Sequence, residues 1–264
     1  MKPIDPRAVT IEVLDQQRKS CAIELAREVT LSIELNGERA ATLLCTPEYP
    51  DELTVGFLLA DGAISSADQI EKLSIEDDGD SICAKVAAPG CMPANERLVT
   101  SGLGKGTLGR GALDAGRAGE LRVRDGLQIA ASRISVLISE LTEKATQLHH
   151  LTNGVHGAAL ADEDGIRLLR EDVGRHNAVD KLAGRCLLDG LDPARYCLLC
   201  TGRISSEMLI KTARLGVPLL ISRAAPTSLA VELAHSTGVT LVGSARGDRF
   251  RVFANAQRIV WEER

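Results

Sequence analysis

From Val155 onward the chain repeats one unit: a short apolar run, a polar loop, and a stretch with helical spacing. The apolar runs read as strands at Val155–Ala161, Ile166–Arg170, Tyr196–Thr201, Pro218–Ser222 and Val239–Ala245. Helical spacing covers Arg175–Leu188, Ser205–Leu215 and Thr227–His235. Few folds accept that alternation. A strand that returns to its sheet through a helix leaves the helix packed on a sheet face, so the pattern predicts an α/β layered domain with mainly parallel strands. Phe250–Val252 and Arg258–Trp261 read as short closing strands. Ala131 opens a further helix, with Ile134, Leu137, Ile138, Leu141, Ala145 and Leu148 on one face.

Three of the loops share a design. Glu171-Asp172-Val173-Gly174-Arg175-His176-Asn177, Thr201-Gly202-Arg203-Ile204-Ser205-Ser206 and Ser222-Arg223-Ala224-Ala225-Pro226-Thr227-Ser228 each place an arginine beside small or hydroxyl residues and open a helix. A helix start offers unpaired N–H groups and partial positive charge, which attract anions. In an open sheet of parallel strands, ligands bind beyond the carboxyl ends. Together the loops predict a pocket for a phosphate-bearing ligand. For any one loop, the alternative is that Ser and Thr only cap a helix and the arginine is solvated. His176 and Asp180, four apart on a helix, read as an acid–base pair or as a surface ion-pair set. His156 precedes an apolar strand and by itself reads as structural. Ser244-Ala245-Arg246-Gly247-Asp248-Arg249 places two arginines around a Gly-Asp turn, suited to an anion or equally a hairpin tip.

The first half is richer in strands. Cys21–Leu35 and Ala40–Cys45 flank Asn36-Gly37, a hairpin turn that needs positive φ at both positions. Pro50–Ala60 reads as a helix; Leu73–Glu76 and Ser81–Ala87 read as strands around Asp77-Asp78-Gly79-Asp80. Residues 88–126 are glycine-rich and lack periodicity. The division this suggests is a β-rich α+β domain over 1–126, ending in that loop, and an α/β domain over 127–264.

Composition narrows the function. A net charge of −5 and 2% aromatic residues argue against a general nucleic-acid binder, which needs positive charge and stacking rings. No apolar stretch reaches the roughly 18–20 residues of a membrane span, and the start lacks a signal-peptide pattern. Seven scattered cysteines match a reduced, cytoplasmic chain. Cys197 and Cys200 form a CxxC, but on a strand residues three apart face opposite ways, so the pair reads as packing. No zinc-ligand spacing and no Walker A run occurs, so no metal site is expected.

Gly174-Arg175-His176-Asn177-Ala178-Val179-Asp180-Lys181, Thr201-Gly202-Arg203-Ile204-Ser205-Ser206-Glu207-Met208 and Ala225-Pro226-Thr227-Ser228-Leu229-Ala230 resemble the FdhD family, the formate dehydrogenase accessory sulfurtransferases. The likeness is dense from Thr152 to Arg258 and looser through Pro50–Leu58 and Asn95-Glu96-Arg97. It implies a cytidine-deaminase-like three-layer α/β domain and a cytoplasmic homodimer. Family members take sulfur from a cysteine desulfurase and pass it to the molybdenum bis-(molybdopterin guanine dinucleotide) cofactor for formate dehydrogenase. A guanine nucleotide would then mimic part of the ligand. The cofactor contacts this implies are His156, Arg175, His176, Asn177, Lys181, Gly202, Arg203, Ser205, Thr227, Ser228 and Ser244, Ala245, Arg246, Gly247, Asp248, Arg249. The sequence departs from the family at the sulfur-carrying cysteine. Leu103 stands at that position, and leucine cannot form a persulfide. Cys91 is the nearest thiol to it. The alternative is a cofactor carrier or chaperone with no sulfur relay.

Overall fold

The computed structural model describes residues 5–92, 121–124, 126–144 and 147–262. Leu103, Asn95-Glu96-Arg97 and most of the glycine-rich stretch lie outside the described residues.

The second half is built on a six-stranded sheet. Its strands are β8 (His156–Asp162), β9 (Gly165–Asp172), β10 (Cys197–Cys200), β11 (Leu219–Ser222), β12 (Thr240–Arg246) and β13 (Arg249–Ala254), in the order β13-β12-β11-β10-β8-β9. Pairing is parallel for β10 with β11 and β11 with β12, and antiparallel elsewhere. The sheet is therefore mixed, not mainly parallel as the alternation predicts. The cause is local: tight turns join β8 to β9 and β12 to β13, and a tight turn can only return a strand antiparallel. Two antiparallel steps cancel, so β9 points the same way as β10, β11 and β12. Their carboxyl ends share one edge with the start of β8.

Helices cover both faces. On one side α4 (Arg175–Asp189), α5 (Ser206–Leu215) and α6 (Ser228–Thr237) enclose a core that includes Leu160, Leu182, Leu198, Cys200, Met208 and Leu233. On the other, α2 (Ala131–Lys144) packs Ile134, Leu137 and Leu141 against Ala159, Cys197, Leu199 and Ile221. Cys197 and Cys200 thus enter opposite cores, as strand alternation requires. A short helix, α3 (Gln147–Thr152), runs into β8, and β7 (Ile129–Ala130) pairs with β14 (Ile259–Val260).

The first half holds a four-stranded sheet, β4-β3-β6-β5, from β3 (Val29–Leu35), β4 (Glu38–Cys45), β5 (Lys72–Asp77) and β6 (Ser81–Ala87). Asn36 and Gly37 both adopt positive φ at the turn. The predicted strand over Cys21–Leu35 is two strands. Its first part is β2 (Ser20–Ala26), which pairs with an unanticipated β1 (Ala8–Leu14) in a separate hairpin. Helix α1 (Pro50–Asp61) lies on the four-stranded sheet through Leu53, Phe57 and Leu58, and packs its other side on α4. That crossing is close because both helices present glycine. A Cβ on Gly56 would overlap the Asp180 carbonyl, and one on Gly184 would overlap the Glu52 carbonyl. Glu52 also accepts from Arg170 Nε and Nη2, at 2.5 and 2.6 Å. Among the described residues the two halves pack directly on each other through α1 and α4.

Candidate functional site at the strand edge

The loops after β9, β10, β11 and β12 meet along the shared edge. The loop after β10 is stitched to the loop after β11: Thr227 N–H donates to the Ile204 carbonyl at 2.9 Å, and Ser222 Oγ donates to the Gly202 carbonyl at 2.6 Å. The latter is tied to the end of β12: Ser244 N–H donates to the Ala224 carbonyl at 3.0 Å, and Arg246 Nε to the Arg223 carbonyl at 3.2 Å. Gly202 sits under Arg175; an added Cβ would lie 3.0 Å from Arg175 Cδ and 3.6 Å from His156 Nδ1. Lack of a side chain at Gly202 lets these three loops touch.

Arg175 opens α4, and its Nε is buried without a hydrogen-bond partner among the described residues. A buried guanidinium nitrogen with no acceptor is costly, and an anion at the helix start would satisfy it. Beside it, His156 Nδ1 lies 3.4 Å from Thr201 Oγ1, which accepts the Gly157 N–H at 3.1 Å. Burial, and after it the charge of Arg175, holds the His156 pKa below its usual value. His176 Nε2 lies 3.5 Å from Ser205 Oγ and 3.6 Å from Glu207 Oε2. Burial lowers its pKa to about 4, against the opposing pull of Glu207. Both rings are neutral at pH 7.

Other expected contacts are placed elsewhere. Lys181 is fully enclosed, with Nζ 2.7 Å from Asp172 Oδ2 and 2.8 Å from Thr46 Oγ1. Asn177 Nδ2 donates to the Leu44 carbonyl and to Asp172 Oδ1. Both side chains join α4 to the first half. The physical reason is helical phase: Asn177 and Lys181, four apart, face inward, while Arg175 and His176 stand at the rim. Asp180 pairs with Lys211 at 2.5 Å in the core, so the expected His176–Asp180 partnership is absent; His176 faces Glu207 instead. Burial raises the Asp180 carboxyl pKa to about 6.

Ser205 and Thr227 cap their helices, accepting from Met208 N–H and Ala230 N–H. Arg203 and Ser228 are exposed, and so are Arg246, Gly247, Asp248 and Arg249; Ala245 is buried. Gly247 and Asp248 reach past the rim to line an open groove with Ser135, Ser139 and Glu143 of α2.

Behind the rim lies a cavity of about 340 Å³ lined by Thr142, His149, Asn153, Gly154, His156, Thr201 and Arg223. His149, Thr201, Arg223, Glu171 and Asp172 line or brace this edge and were not among the expected cofactor contacts. Arg223 and Thr201 were visible as loop residues. His149 was missed because the helical face read from Ile134 to Leu148 belongs to two described helices, α2 and α3, and a single His next to that face carries no chemical signal. Glu171 caps that helix, accepting from Leu148 and His149 N–H at 3.3 Å each; burial pushes its pKa up.

The thiols are far less available. Cys45, Cys186 and Cys197 are pushed up to about 12 and Cys200 to about 11, each first by burial. Cys91 is 6% exposed, in the core of the four-stranded sheet, with Sγ 3.5 Å from Gln69 Nε2. Asn36 holds the Cys91 carbonyl just beyond Leu35, whereas Thr46 and Asp172 sit past Val29 and Cys45. The length of β3, roughly 20 Å at 3.3 Å per residue, separates Cys91 from the rim. Cys21 is exposed and Cys83 half-buried. Among the described residues no three or more His, Cys, Asp or Glu side chains could hold a metal ion, and no helix is long and apolar enough to cross a membrane.

Residues 26–260 match the family model described as the FdhD/NarQ family. The chain is 38% identical to the sulfur carrier protein FdhD of Geobacillus kaustophilus over 241 residues, covering 90% of each chain. It is 34% identical to the protein of that name from Bacillus subtilis, over 89% of this chain and 90% of the relative. Its fold resembles a crystal structure described as a "putative formate dehydrogenase accessory protein" from Desulfotalea psychrophila, with a TM-score of 0.78, 28% identity, and coverage of 96% of this chain and 98% of that one. A match across both halves of the molecule, including every loop of the rim, means that the chain belongs to the FdhD/NarQ family.

Proposed function

We propose that this protein is a cytoplasmic formate dehydrogenase accessory protein whose strand-edge rim binds the molybdenum bis-(molybdopterin guanine dinucleotide) cofactor. One observation carries the reading: the buried, unpartnered Nε of Arg175 at a helix start, beside neutral His156 and within a continuous run of arginine-bearing loops. That donor set fits phosphate. Arg175 and the α4 N–H groups would hold one phosphate, and Arg223 and Arg246 another. The bound group would bring the metal and its sulfur ligands; the chain's residues bind and orient it and keep its charged part paired. Helices on both faces of the mixed sheet support the cytidine-deaminase-like, three-layer part of this reading. Seven unpaired thiols support a reducing compartment. A homodimer belongs to the same reading through the family.

The burial of five cysteines, and the distance of Cys91 from the rim, favour carriage of the cofactor over sulfur relay through those thiols. The name of the curated relatives favours the other reading, in which a cysteine desulfurase loads a thiol of this chain with sulfur. Two measurements test the proposal. Titration with guanosine diphosphate is expected to show binding that Arg175→Ala weakens at least ten-fold, with a smaller loss for exposed Arg203→Ala and none for Cys91→Ala. Undiminished binding in Arg175→Ala would overturn the site. Mass spectrometry after incubation with a desulfurase and cysteine separates carriage from relay: a gain of one sulfur atom on a cysteine means relay.

A further inference from the structure

The cavity behind the rim is walled by two histidines, each with one ring nitrogen already engaged. His149 Nδ1 lies 3.0 Å from the Val155 carbonyl oxygen. A carbonyl only accepts, so Nδ1 carries the proton and Nε2 is a bare acceptor. His156 Nδ1 faces Thr201 Oγ1, which already accepts the Gly157 N–H. That hydroxyl can turn its hydrogen to Nδ1, and the ring then presents Nε2 as an N–H donor. Among the described residues neither Nε2 is paired, and both side chains line the cavity with Arg223. Its volume, about 340 Å³, falls within the roughly 300–1,000 Å³ of small-molecule pockets.

We propose that His149 is a specificity-determining residue of this cavity, which with His156 reads the edge of a flat heterocycle carrying a ring N–H beside a carbonyl oxygen. This rests on the reading of the rim as a nucleotide site, and adds which end takes the ring. The ring N–H donates to His149 Nε2, and the carbonyl accepts from His156 Nε2–H. Arg223 marks the direction of the anionic tail. Guanine, hypoxanthine and pterin rings carry such an edge. Adenine presents the reverse pattern, an acceptor nitrogen beside an amino donor, and meets an acceptor with an acceptor and a donor with a donor. Of the two histidines, His149 enforces the choice. The hydroxyl partner of His156 can turn and reverse that ring's polarity; the carbonyl partner of His149 cannot. The position of His149 in turn depends on Glu171. A helix of six residues is far below the ~12–15 at which a helix persists in water, and its first N–H groups are held by that carboxylate.

Calorimetric titration of the full chain with guanosine and adenosine diphosphates tests the proposal. Wild type is expected to favour the guanine nucleotide at least ten-fold. His149→Phe keeps a ring but removes the acceptor, and is expected to bring the two affinities within about two-fold, chiefly by weakening the guanine nucleotide. His149→Gln, whose side-chain carbonyl can accept, is expected to keep part of the preference and serves if the phenylalanine variant does not fold. Guanine binding with no preference over adenine, or a preference that survives in His149→Phe, would overturn the role of His149 and leave the nucleotide site standing. Failure of wild type to bind either nucleotide would overturn both.

Discussion

Lys181 and Asp172 form an ion pair of 2.7 Å with neither side chain exposed, and Thr46 closes the pair from the other half of the molecule. Asp172 accepts from Thr46 N–H and Oγ, from Asn177 Nδ2 and from the Gly174 N–H. One carboxylate thereby sets the start of α4, which carries Arg175 to the rim, and locks it to the strand that precedes α1.

Removing one member of a buried pair strands the other charge, at a cost of about 3–5 kcal/mol. Lys181→Met is therefore expected to lose stability of that order in urea unfolding. A residue that contacted ligand from an exposed position would lose binding and little stability; the expected pattern is the opposite.

The crossing of α1 and α4 makes a second expectation. Alanine is the better helix former by up to about 1 kcal/mol, so Gly184→Ala would stabilise a solvated helix. Here the new methyl meets the Glu52 backbone. Overpacking of this kind costs roughly 1–3 kcal/mol, or more where backbone must move. Thermal unfolding of Gly184→Ala is expected at lower temperature than wild type; a rise would show that the helices separate easily.

His176 gives a pH dependence with a definite sign. Its folded pKa of about 4 lies below the ordinary 6.5, so between those values the unfolded chain binds the extra proton and acid favours unfolding. The stability it supports is present above pH 6.5 and is lost as pH falls toward 4. Asp180 and Glu171, both raised, act in the opposite direction over acidic pH. The diagnostic quantity is thus the difference between wild type and His176→Gln. Between pH 7 and 5, wild type is expected to lose more stability than the variant, measured by denaturant unfolding at each pH.

Thiol burial orders cysteine reactivity. In the native protein Cys21 is expected to alkylate first and Cys83 more slowly. Cys45, Cys91, Cys186, Cys197 and Cys200 should stay unmodified until denaturant is added. Peptide mass spectrometry after a timed iodoacetamide pulse reads this directly, and early labelling of Cys91 would bring it back as a sulfur-carrying candidate.

What the sequence determined by itself was local. Alternating strand and helix periods placed the elements of the second half. Asn36-Gly37 fixed a turn, and the spacing of Cys197 and Cys200 sent them to opposite faces. The arginine-bearing loops were legible because strand, loop and helix start are neighbours in the chain. Tertiary structure decided which residues of those loops stand free. Lys181 and Asn177 share a motif with Arg175, yet their partners Thr46 and Leu44 lie more than 130 residues away. No local period encodes such a pairing. The cavity behind the rim is of the same kind: His149, His156, Thr201 and Arg223 come from four elements and become neighbours only when the sheet closes. Periodicity records which side of an element is buried; what it is buried against, and whether a charged group is left without a partner, depends on the packing of segments distant in the chain.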